Sequence, residues 1–312
     1  MEKIVFLDRE SLGVEFQKPQ FKHDYVEYAE TWGEAETITR LKDATIAVIN
    51  KVPMTANVLS QLPHLKLIAV AATGTDVVDK AAAKSKGVLV TNVKGYAHTT
   101  VPEHCLALIF ALSRNLLPYA QTRHNNHWSK VRQFCYFDYP IRDLKNTTLG
   151  IVGYGVIGRG LAERARGLGM KILATDYQKF DGWVSQDDVL TQSDIISLHC
   201  PLTPETKHLI NAQSIAKMKK GAMIINTARG PLIDEAALLA ALRSGHLGGA
   251  GIDVISVEPP PADHPMLTAD LPNLIVTPHV AWASFEAMTE LSGIVTANIE
   301  AFVAGKPQNL VE

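Results

Sequence analysis

The sequence is poor in the features that mark secreted, zinc-binding and nucleic-acid-binding proteins. It has three cysteines in 312 residues, Cys105, Cys135 and Cys200, and no two of them form a C-x-x-C pair. An odd number without that spacing excludes a disulfide framework and a cysteine zinc site, and it favours a reducing cytoplasm. The formal net charge is only −2, so charge gives no reason to expect nucleic acid or an anionic membrane as a partner.

Long apolar runs are also missing. The start of the chain, MEKIVFLDRE, has acidic residues where a signal peptide has a long apolar run, and the apolar stretch from Cys105 to Leu112 ends close to Arg114. We therefore expect neither export nor a membrane span. What the sequence does have is 46% hydrophobic and 20% charged residues, the composition of a globular protein whose length favours two domains. Small molecules are the expected partners.

Short apolar runs rich in β-branched residues alternate with helix-like segments along the chain. A first series occupies residues 4–7, 45–49, 67–71 and 88–91, and a second occupies 149–152, 171–175, 195–199, 222–226, 249–254 and 274–277. Such alternation predicts parallel sheets covered by helices, and six runs match a doubly wound dinucleotide-binding sheet. The predicted fold class is therefore α/β, with a Rossmann-type doubly wound parallel sheet and a smaller flavodoxin-like α/β domain.

Two longer segments have helical periodicity. Residues 101–121 are predicted to form one long connecting helix with Pro102 in its first turn, and residues 284–304 repeat apolar side chains at helical spacing before Gly305. If the second of these helices packs on the first series of strands, the first domain is discontinuous.

A glycine loop follows one of the predicted strands. Gly153, Gly155 and Gly158 form a G-x-G-x-x-G motif between a strand-like run that ends at Val152 and a helix-like stretch. In this context the first glycine permits a tight turn, the second lets the backbone approach a pyrophosphate, and the third allows close packing of helix on strand. Asp176 ends the next strand, 18 residues after Gly158, where a carboxylate would accept ribose hydroxyls. Because Asp176 would repel a 2'-phosphate, we favour NAD over NADP. A glycine turn in some other α/β protein is the weaker interpretation.

Three polar residues follow three predicted strands of the second series. Arg229, Glu258 and His279 come after the runs 222–226, 249–254 and 274–277. Since ligands bind beyond the carboxyl ends of parallel strands, these side chains could reach one cleft. Reduction of a 2-keto acid requires a cation to hold the carboxylate and polarise the ketone, and a histidine that donates a proton with support from a carboxylate. Taken singly, the three residues could equally be a helix cap, a solvated turn residue and a buried ring.

At these residues the sequence resembles the D-isomer-specific 2-hydroxyacid dehydrogenase family over nearly its whole length. Five blocks carry the resemblance: GIVGYGVIGRGLA, SLHCPLTPETKHLI, NTARGPLIDEAAL, GIDVISVEPP and TPHVAW. It implies that Arg229 binds substrate, that Glu258 pairs with His279, and that His279 is the acid-base residue. It also implies a substrate domain formed by residues 1–98 and 285–312, and an NAD-binding domain, residues 99–284, with a dimerisation helix and arm. A homodimer that uses NAD and no metal is expected.

The resemblance also implies contacts with each ligand. The expected cofactor contacts are Thr73, Gly153, Gly155, Val156, Ile157, Gly158, Asp176, Cys200, Thr227, Ala228 and Asp253. The expected substrate contacts are Thr73, Gly74, Thr75, Arg229 and His279. In this scheme Asp253 faces the carboxamide, and backbone N–H groups from Thr73 to Thr75 hold the substrate carboxylate as an anion nest. A simple strand-to-helix turn is the alternative interpretation of that segment.

Two segments are similar to the glycerate dehydrogenase branch of the family, which reduces hydroxypyruvate. They are QFCYFDYP, residues 133–140, and AWAS, residues 281–284. Ala281 and Trp282 stand where the family commonly has a glycine and a serine, which affects the expected shape of the pocket and not the catalytic set. We therefore expect hydroxypyruvate reduction with NADH. Reduction of glyoxylate or another 2-keto acid, and an NAD-sensing corepressor-like binding protein on the same scaffold, are the alternatives; formate or phosphite dehydrogenase is a weaker one.

Two further features have more than one interpretation. His124 and His127 are three residues apart, but no third ligand at suitable spacing accompanies them, so a solvated helix end or loop is favoured over a metal site. The aromatic-rich run over residues 128–139 is typical of a cofactor box, a core strip or an interface arm. The resemblance favours the interface arm.

Overall fold

The computed structural model describes residues 1–311, apart from the side chain of Asn125. Within that range the chain forms eleven β-strands and twelve α-helices. The strands are β1 (Glu2–Phe6), β2 (His23–Glu27), β3 (Ile46–Ile49), β4 (Leu67–Val70), β5 (Leu89–Thr91), β6 (Thr148–Val152), β7 (Lys171–Thr175), β8 (Ile195–Leu198), β9 (Ala222–Asn226), β10 (Leu247–Ile252) and β11 (Leu274–Val276). The helices are α1 (Gly33–Leu41), α2 (Ala56–Ser60), α3 (Lys80–Ser85), α4 (Thr100–Ser113), α5 (Leu116–Gln121), α6 (His127–Lys130), α7 (Val156–Gly167), α8 (Gln186–Gln192), α9 (Ala212–Lys217), α10 (Glu235–Arg243), α11 (Pro265–Thr268) and α12 (Phe285–Val303).

The chain divides into two compact units. The first consists of Met1–Ala97 together with the residues from Ala283 onward, and the second consists of His98–Trp282. Within residues 1–311, no helix is both long and apolar enough to cross a membrane.

The first unit contains a five-stranded parallel sheet with the strand order β2-β1-β3-β4-β5. This is the order of flavodoxin-like sheets, which confirms the predicted fold of the smaller domain. Every residue of β3 and of β4 is buried. Continuous apolar runs such as IAVI and LIAV are typical of parallel strands that are covered on both faces.

One strand of this sheet, β2, is absent from the predicted strands. It pairs in parallel with β1 at the edge of the sheet, and its residues HDYVE are half-buried or exposed. An edge strand with charged residues has no continuous apolar run, so the apolar periodicity does not reveal it.

The second unit contains a six-stranded parallel sheet with the strand order β11-β10-β9-β8-β6-β7. The chain moves outward from β6 to β7 and then returns to the other side of β6 with β8. This reversal is the switch point of a doubly wound sheet, and it confirms the predicted Rossmann-type fold. Outside β7, a single parallel bridge between Ala174 and Trp183 extends the sheet.

The prediction of a single helix over residues 101–121 is wrong. α4 ends at Ser113 and α5 begins at Leu116, and Asn115 between them has a φ of 47°. Asparagine tolerates this left-handed conformation better than most residues, and an α-helix does not continue through it. The apolar periodicity persists on both sides of Asn115, which hides the break.

The last helix, α12, lies where the periodicity predicts it. Ser284 is its N-cap, and the serine hydroxyl accepts a hydrogen bond from the N–H of Ala287 at 3.1 Å. Leu291, Val295 and Ile299 are buried on one side of the helix. Because α12 contacts β4, the C-terminal segment completes the first unit.

Candidate active site

The glycine loop joins β6 to α7 at the carboxyl edge of the second unit's sheet. Gly153 has a φ of 96°, and a Cβ atom on it would lie 2.5 Å from the main chain of His199 and Cys200. A Cβ atom on Gly158 would lie 2.2 Å from the carbonyl oxygen of Gly153. Around Gly155, the N-cap of α7, no atom of residues 1–311 beyond its chain neighbours lies within 4 Å of such a Cβ. Packing thus requires the outer two glycines, and the middle one leaves the main chain open to a ligand. The loop fits the pyrophosphate of NAD.

Asp176 follows β7 and lies beside the glycine loop. Its carboxylate accepts the N–H of Tyr154 at 2.5 Å and the N–H of Tyr177 at 2.7 Å. The indole N–H of Trp183 donates to the main-chain oxygen of Asp176 at 3.0 Å. A carboxylate has about four acceptor positions, so two bonds leave capacity for the hydroxyls of a ribose. The geometry is compatible with the ribose contact, which stays a prediction.

His279 lies shortly after β11 in a turn with an unusual backbone. Its φ is 54°, in the left-handed region. Its N–H donates to the main-chain oxygens of Asp253 at 2.9 Å and Thr277 at 3.0 Å, and its carbonyl oxygen accepts the indole N–H of Trp282 at 3.0 Å. Main-chain bonds on both sides therefore fix the direction in which the imidazole points. Such a conformation in a residue other than glycine is uncommon, and strained residues of this kind cluster at functional sites.

The imidazole of His279 pairs with the carboxylate of Glu258. His279 Nδ1 and Glu258 Oε2 are 2.6 Å apart, and Glu258 Oε1 accepts the N–H of Ile255 at 3.0 Å. The two side chains are 27% and 32% exposed, so a small molecule can reach them. A carboxylate at Nδ1 fixes the tautomer that carries its proton on Nδ1, which leaves Nε2 as the atom that exchanges a proton. The structure thus brings two of the predicted catalytic residues together.

Arg229 follows β9, and its main chain is fixed by a buried asparagine. The side-chain amide of Asn226 donates to the carbonyl oxygen of Arg229 at 2.9 Å and accepts the N–H of Ala228 at 3.0 Å. Arg229 Nη1 donates to the carbonyl oxygen of Ala228 at 2.7 Å.

The next residue, Gly230, brings the Arg229 loop against the loop that carries Glu258. A Cβ atom on Gly230 would lie 2.0 Å from the carbonyl group of Ile255. Since a side chain here would overlap that main chain, glycine is required for the contact. The loops after β9 and β10 therefore touch, and the meeting of the Arg229 side chain with Glu258 and His279 in one cleft stays a prediction.

Asp253, the residue predicted to face the carboxamide, follows β10 and has a nearly closed environment. Its side chain is 1% exposed. Oδ1 accepts the Thr277 hydroxyl at 2.5 Å and the Val280 N–H at 3.0 Å, and Oδ2 accepts the Ala281 N–H at 2.9 Å. The carboxylate anchors the turn that follows His279, and its contact with the carboxamide stays a prediction.

Two residues beside Asp253, namely His104 and Thr277, are absent from the predicted site. His104, on α4, has its Nε2 atom 3.1 Å from Thr277 Oγ1 and 3.7 Å from Asp253 Oδ1. The sequence offers one weak signal, a histidine directly before the apolar run from Cys105 to Leu112. By itself that signal is typical of a histidine in the core.

The other predicted cofactor residues lie at the same edge of the sheet: Val156 and Ile157 begin α7, Cys200 follows β8, and Thr227 and Ala228 follow β9. Burial raises the pKa of Cys200 to about 11. Cys105 Sγ lies 3.3 Å from Thr227 Oγ1, and burial raises the pKa of this thiol to about 12. Both thiols therefore stay protonated at neutral pH, which argues against a role as nucleophile.

Thr73, Gly74 and Thr75 belong to the first unit and follow β4. The hydroxyl of Thr73 donates to the carbonyl oxygen of Val93 at 2.7 Å, and the side-chain amide of Asn92 donates to the carbonyl oxygen of Thr73 at 2.7 Å. Because the Thr73 side chain is engaged within its own unit, a substrate contact here would use main-chain N–H groups. The roles of these residues stay predictions.

The two histidines of the metal interpretation contact other side chains. His127 Nε2 lies 2.8 Å from Asp138 Oδ2, and Arg123 Nε donates to His124 Nε2 at 3.2 Å. Among the described residues, no three side chains of His, Cys, Asp or Glu are grouped as metal ligands.

These features define a dinucleotide-binding unit with a histidine–carboxylate pair at the carboxyl edge of its sheet. The sequence model for the NAD-binding domain of the D-isomer specific 2-hydroxyacid dehydrogenases matches residues 106–281. The chain is 58% identical over 311 residues to the glycerate dehydrogenase of Methylorubrum extorquens, covering 100% of this chain and 99% of that one. It is 41% identical to a hydroxypyruvate reductase of Blautia hydrogenotrophica, covering 88% and 87% of the two chains. A solved D-lactate dehydrogenase of Aquifex aeolicus, complexed with NAD and lactic acid, has a TM-score of 0.80 at 30% identity, covering 97% of this chain and 96% of that one.

The chain belongs to the D-isomer specific 2-hydroxyacid dehydrogenase family. It is an NAD-dependent oxidoreductase that acts on the CH–OH group of its donor.

Proposed function

We propose that the chain reduces hydroxypyruvate to D-glycerate with NADH, and that glyoxylate or another 2-keto acid is the alternative substrate. The proposed acid-base chemistry rests on one observation, the 2.6 Å contact between His279 Nδ1 and Glu258 Oε2. The choice of hydroxypyruvate is supported by the relative named glycerate dehydrogenase, which is 58% identical along its whole length.

His279 is the proposed acid-base residue. Its Nδ1 atom faces the Glu258 carboxylate, so the protonated ring carries its second proton on Nε2. In the reducing direction Nε2–H donates that proton to the substrate oxygen at C2, and in the oxidising direction Nε2 accepts it. The negative charge of Glu258 stabilises the imidazolium and holds the ring in this orientation.

Arg229 is the proposed substrate cation. A guanidinium presents planar donors that suit a carboxylate and can polarise a neighbouring carbonyl. NADH, when bound, supplies the hydride. The main-chain N–H groups of the segment from Thr73 to Thr75 are proposed as a second set of donors to the substrate carboxylate.

NADH is favoured over NADPH because of Asp176. Its carboxylate accepts hydrogen bonds from two main-chain N–H groups, at 2.5 and 2.7 Å. These bonds hold the carboxylate in place beside the glycine loop. A 2'-phosphate close to this carboxylate would meet like-charge repulsion, whereas ribose hydroxyls would donate to it.

The test is the steady-state rate with a panel of hydroxypyruvate, glyoxylate, pyruvate and longer 2-keto acids, each with NADH and with NADPH. We expect the highest kcat/KM for hydroxypyruvate with NADH. In His279→Ala, kcat should fall by roughly 10³-fold while NADH still binds, because a general acid contributes about 10²- to 10⁴-fold. Replacing an exposed histidine by His64→Ala is the matched control and should leave kcat unchanged.

Two outcomes would contradict the proposal. Full activity of His279→Ala would remove the acid-base assignment. Binding of NADH without turnover of any keto acid would instead favour a binding protein whose partner contacts depend on NAD.

We also propose a homodimer in the cytoplasm. Large aromatic side chains around α6 support a protein interface, with Trp128 62%, Phe134 87% and Phe137 83% exposed. Three unpaired cysteines support a reducing compartment. Sedimentation of the wild type and of Phe134→Asp tests the interface, and a wild-type monomer would overturn it.

A further inference from the structure

We infer that His104 is a positioning residue for His279, acting through the Thr277 hydroxyl and the Asp253 carboxylate. The inference rests on the proposed function to the extent that His279 is the acid-base residue. His104, Thr277 and Asp253 themselves neither donate nor accept the reacting proton.

The turn at His279 needs support from outside itself. A φ of 54° is unfavourable for a residue with a Cβ atom, and such a conformation persists when neighbouring bonds enforce it. Asp253 supplies three of these bonds: its carbonyl oxygen accepts the His279 N–H at 2.9 Å, and its carboxylate accepts the N–H groups of Val280 and Ala281 at 3.0 and 2.9 Å. The orientation of the Asp253 side chain therefore fixes the turn.

The Thr277 hydroxyl determines where the proton of His104 lies. A carboxylate only accepts hydrogen bonds, so the 2.5 Å contact uses the Thr277 proton on Asp253 Oδ1. The lone pairs of Thr277 Oγ1 are then what faces His104 Nε2 at 3.1 Å. Hence His104 must carry a proton on Nε2 and donate it, which gives one direction to the whole series: His104 to Thr277 to Asp253.

His104 is well placed for this role because it belongs to a different element from the turn it supports. It lies in the first turns of α4, and its side chain is 22% exposed whereas that of Asp253 is 1% exposed. In a setting so poor in water, loss of the His104 donor leaves the lone pairs of Thr277 Oγ1 unsatisfied and weakens the hydrogen bond that this hydroxyl donates to Asp253 Oδ1. The carboxylate would then be oriented less firmly, and it would hold the His279 turn less rigidly.

The experiment compares His104→Leu with His104→Gln in the full chain. Leucine fills similar space without a donor, and the glutamine amide can donate from nearly the same point as Nε2. We expect His104→Leu to lower kcat about tenfold with an unchanged Kd for NADH, and His104→Gln to recover most of that loss. Thr277→Val should behave like His104→Leu, and the double variant should be no worse than either one, because both remove the same series of bonds.

A matched control comes from the other end of β10. His246 is also half-buried, and its Nε2 atom lies 2.9 Å from the carbonyl oxygen of Ile215. His246→Leu removes a comparable ring and hydrogen bond far along the strand from Asp253, so kcat should not change. Circular dichroism and thermal unfolding of every variant identify any that fail to fold. If a His104 variant fails to fold, the kcat of Thr277→Ser, which keeps the hydroxyl, is compared with that of Thr277→Val, which lacks it.

The inference has a readout that is independent of turnover. In protein labelled with ¹³C at histidine Cε1, the His279 signal, identified by its loss in His279→Ala, should shift in His104→Leu and return in His104→Gln. Equal damage from leucine and glutamine would mean that His104 merely fills space, and would overturn the inference. So would an unmoved His279 signal together with a kcat within twofold of wild type. If the wild type reduces no keto acid but the signal shifts as expected, the proposed function fails and the positioning role stands.

Discussion

The two parallel sheets use the polar residues at their carboxyl edges in opposite ways. In the first unit, the Asp8 carboxylate after β1 accepts the N–H groups of Asn50 at 2.9 Å and Lys51 at 2.7 Å, and Asn92 after β5 holds the carbonyl oxygen of Thr73. These side chains turn inward and fix loops. In the second unit, Glu258 and His279 point toward each other and remain partly exposed.

The difference indicates that the two edges suit different chemical tasks. Where the polar side chains of an edge all hydrogen-bond to its own loops, the loops present main-chain N–H groups in fixed positions. Such groups suit the recognition of an anion. An edge with a partly exposed histidine–carboxylate pair can move a proton. The second edge also has an inner layer like that of the first, since Asn226 and Asp253 hold the loops that carry Arg229 and His279.

After His279→Ala, the next largest expected effect comes from Glu258→Gln, which changes the chemistry of the second edge alone. Glu258→Gln keeps the size of the side chain and removes the charge that stabilises the imidazolium of His279. We expect kcat for the preferred keto acid to fall by about 10²-fold, at the lower end of what acid-base groups contribute, with little change in the Kd for NADH.

Steady-state kinetics and a fluorescence titration with NADH measure the two quantities. Glu163→Gln, an exposed position on α7, is the matched control. A kcat for Glu258→Gln within threefold of the wild type would mean that the 2.6 Å pair only orients the ring.

Local sequence patterns predict the second edge better than the first. The glycine loop is readable because its strand, turn and helix are consecutive, and Arg229, Glu258 and His279 are readable because each follows an apolar run. In the first unit, β2 is missed because HDYVE at a sheet edge has no apolar run. In the second unit, the end of α4 is missed because Asn115 interrupts the backbone without interrupting the periodicity.

The inner layer of the site is beyond such patterns for a different reason. His104 and Thr277 are 173 residues apart in sequence and meet because α4 packs on the sheet of the second unit. A histidine at the start of an apolar helical run and a threonine after a strand carry no signal of this role when each is taken alone. Their roles depend on hydrogen bonds between distant elements, which single-sequence periodicity does not encode.

A second expected effect concerns stability in acid and belongs to the second edge. His199 follows β8 beside Gly153, its Nε2 atom lies 2.9 Å from Ser197 Oγ, and burial lowers its pKa from 6.5 to about 4. The unfolded chain therefore binds a proton that the folded chain refuses, so the contribution of the neutral ring is complete above pH 6.5 and is lost as the pH falls toward 4. Between pH 7.5 and 5.5 this loss should be about 1 kcal/mol of unfolding free energy.

Urea unfolding of the wild type and of His199→Asn at the two pH values measures this contribution. The wild type should lose more stability than the variant, and His64→Asn, at an exposed position, should follow the wild type. Parallel losses in the wild type and His199→Asn would mean that the folded protein accepts the proton without penalty.

The smallest expected effect has the opposite sign and belongs to the first edge. Burial raises the pKa of Asp8 above 3.8, in spite of the main-chain N–H groups of Lys51, Asn50 and Val52 that oppose the shift. The folded chain therefore binds the proton more tightly than the unfolded one, and this contribution to stability is present in acid and declines as the pH rises through the folded pKa. The stability of the wild type relative to Asp8→Asn should thus decrease from pH 4.5 to pH 7.5, whereas that relative to His199→Asn should increase. Urea unfolding of the wild type, Asp8→Asn and His199→Asn at both pH values tests these two stability differences. If both differences changed in the same direction with pH, the two edges would not differ in how they bury charge.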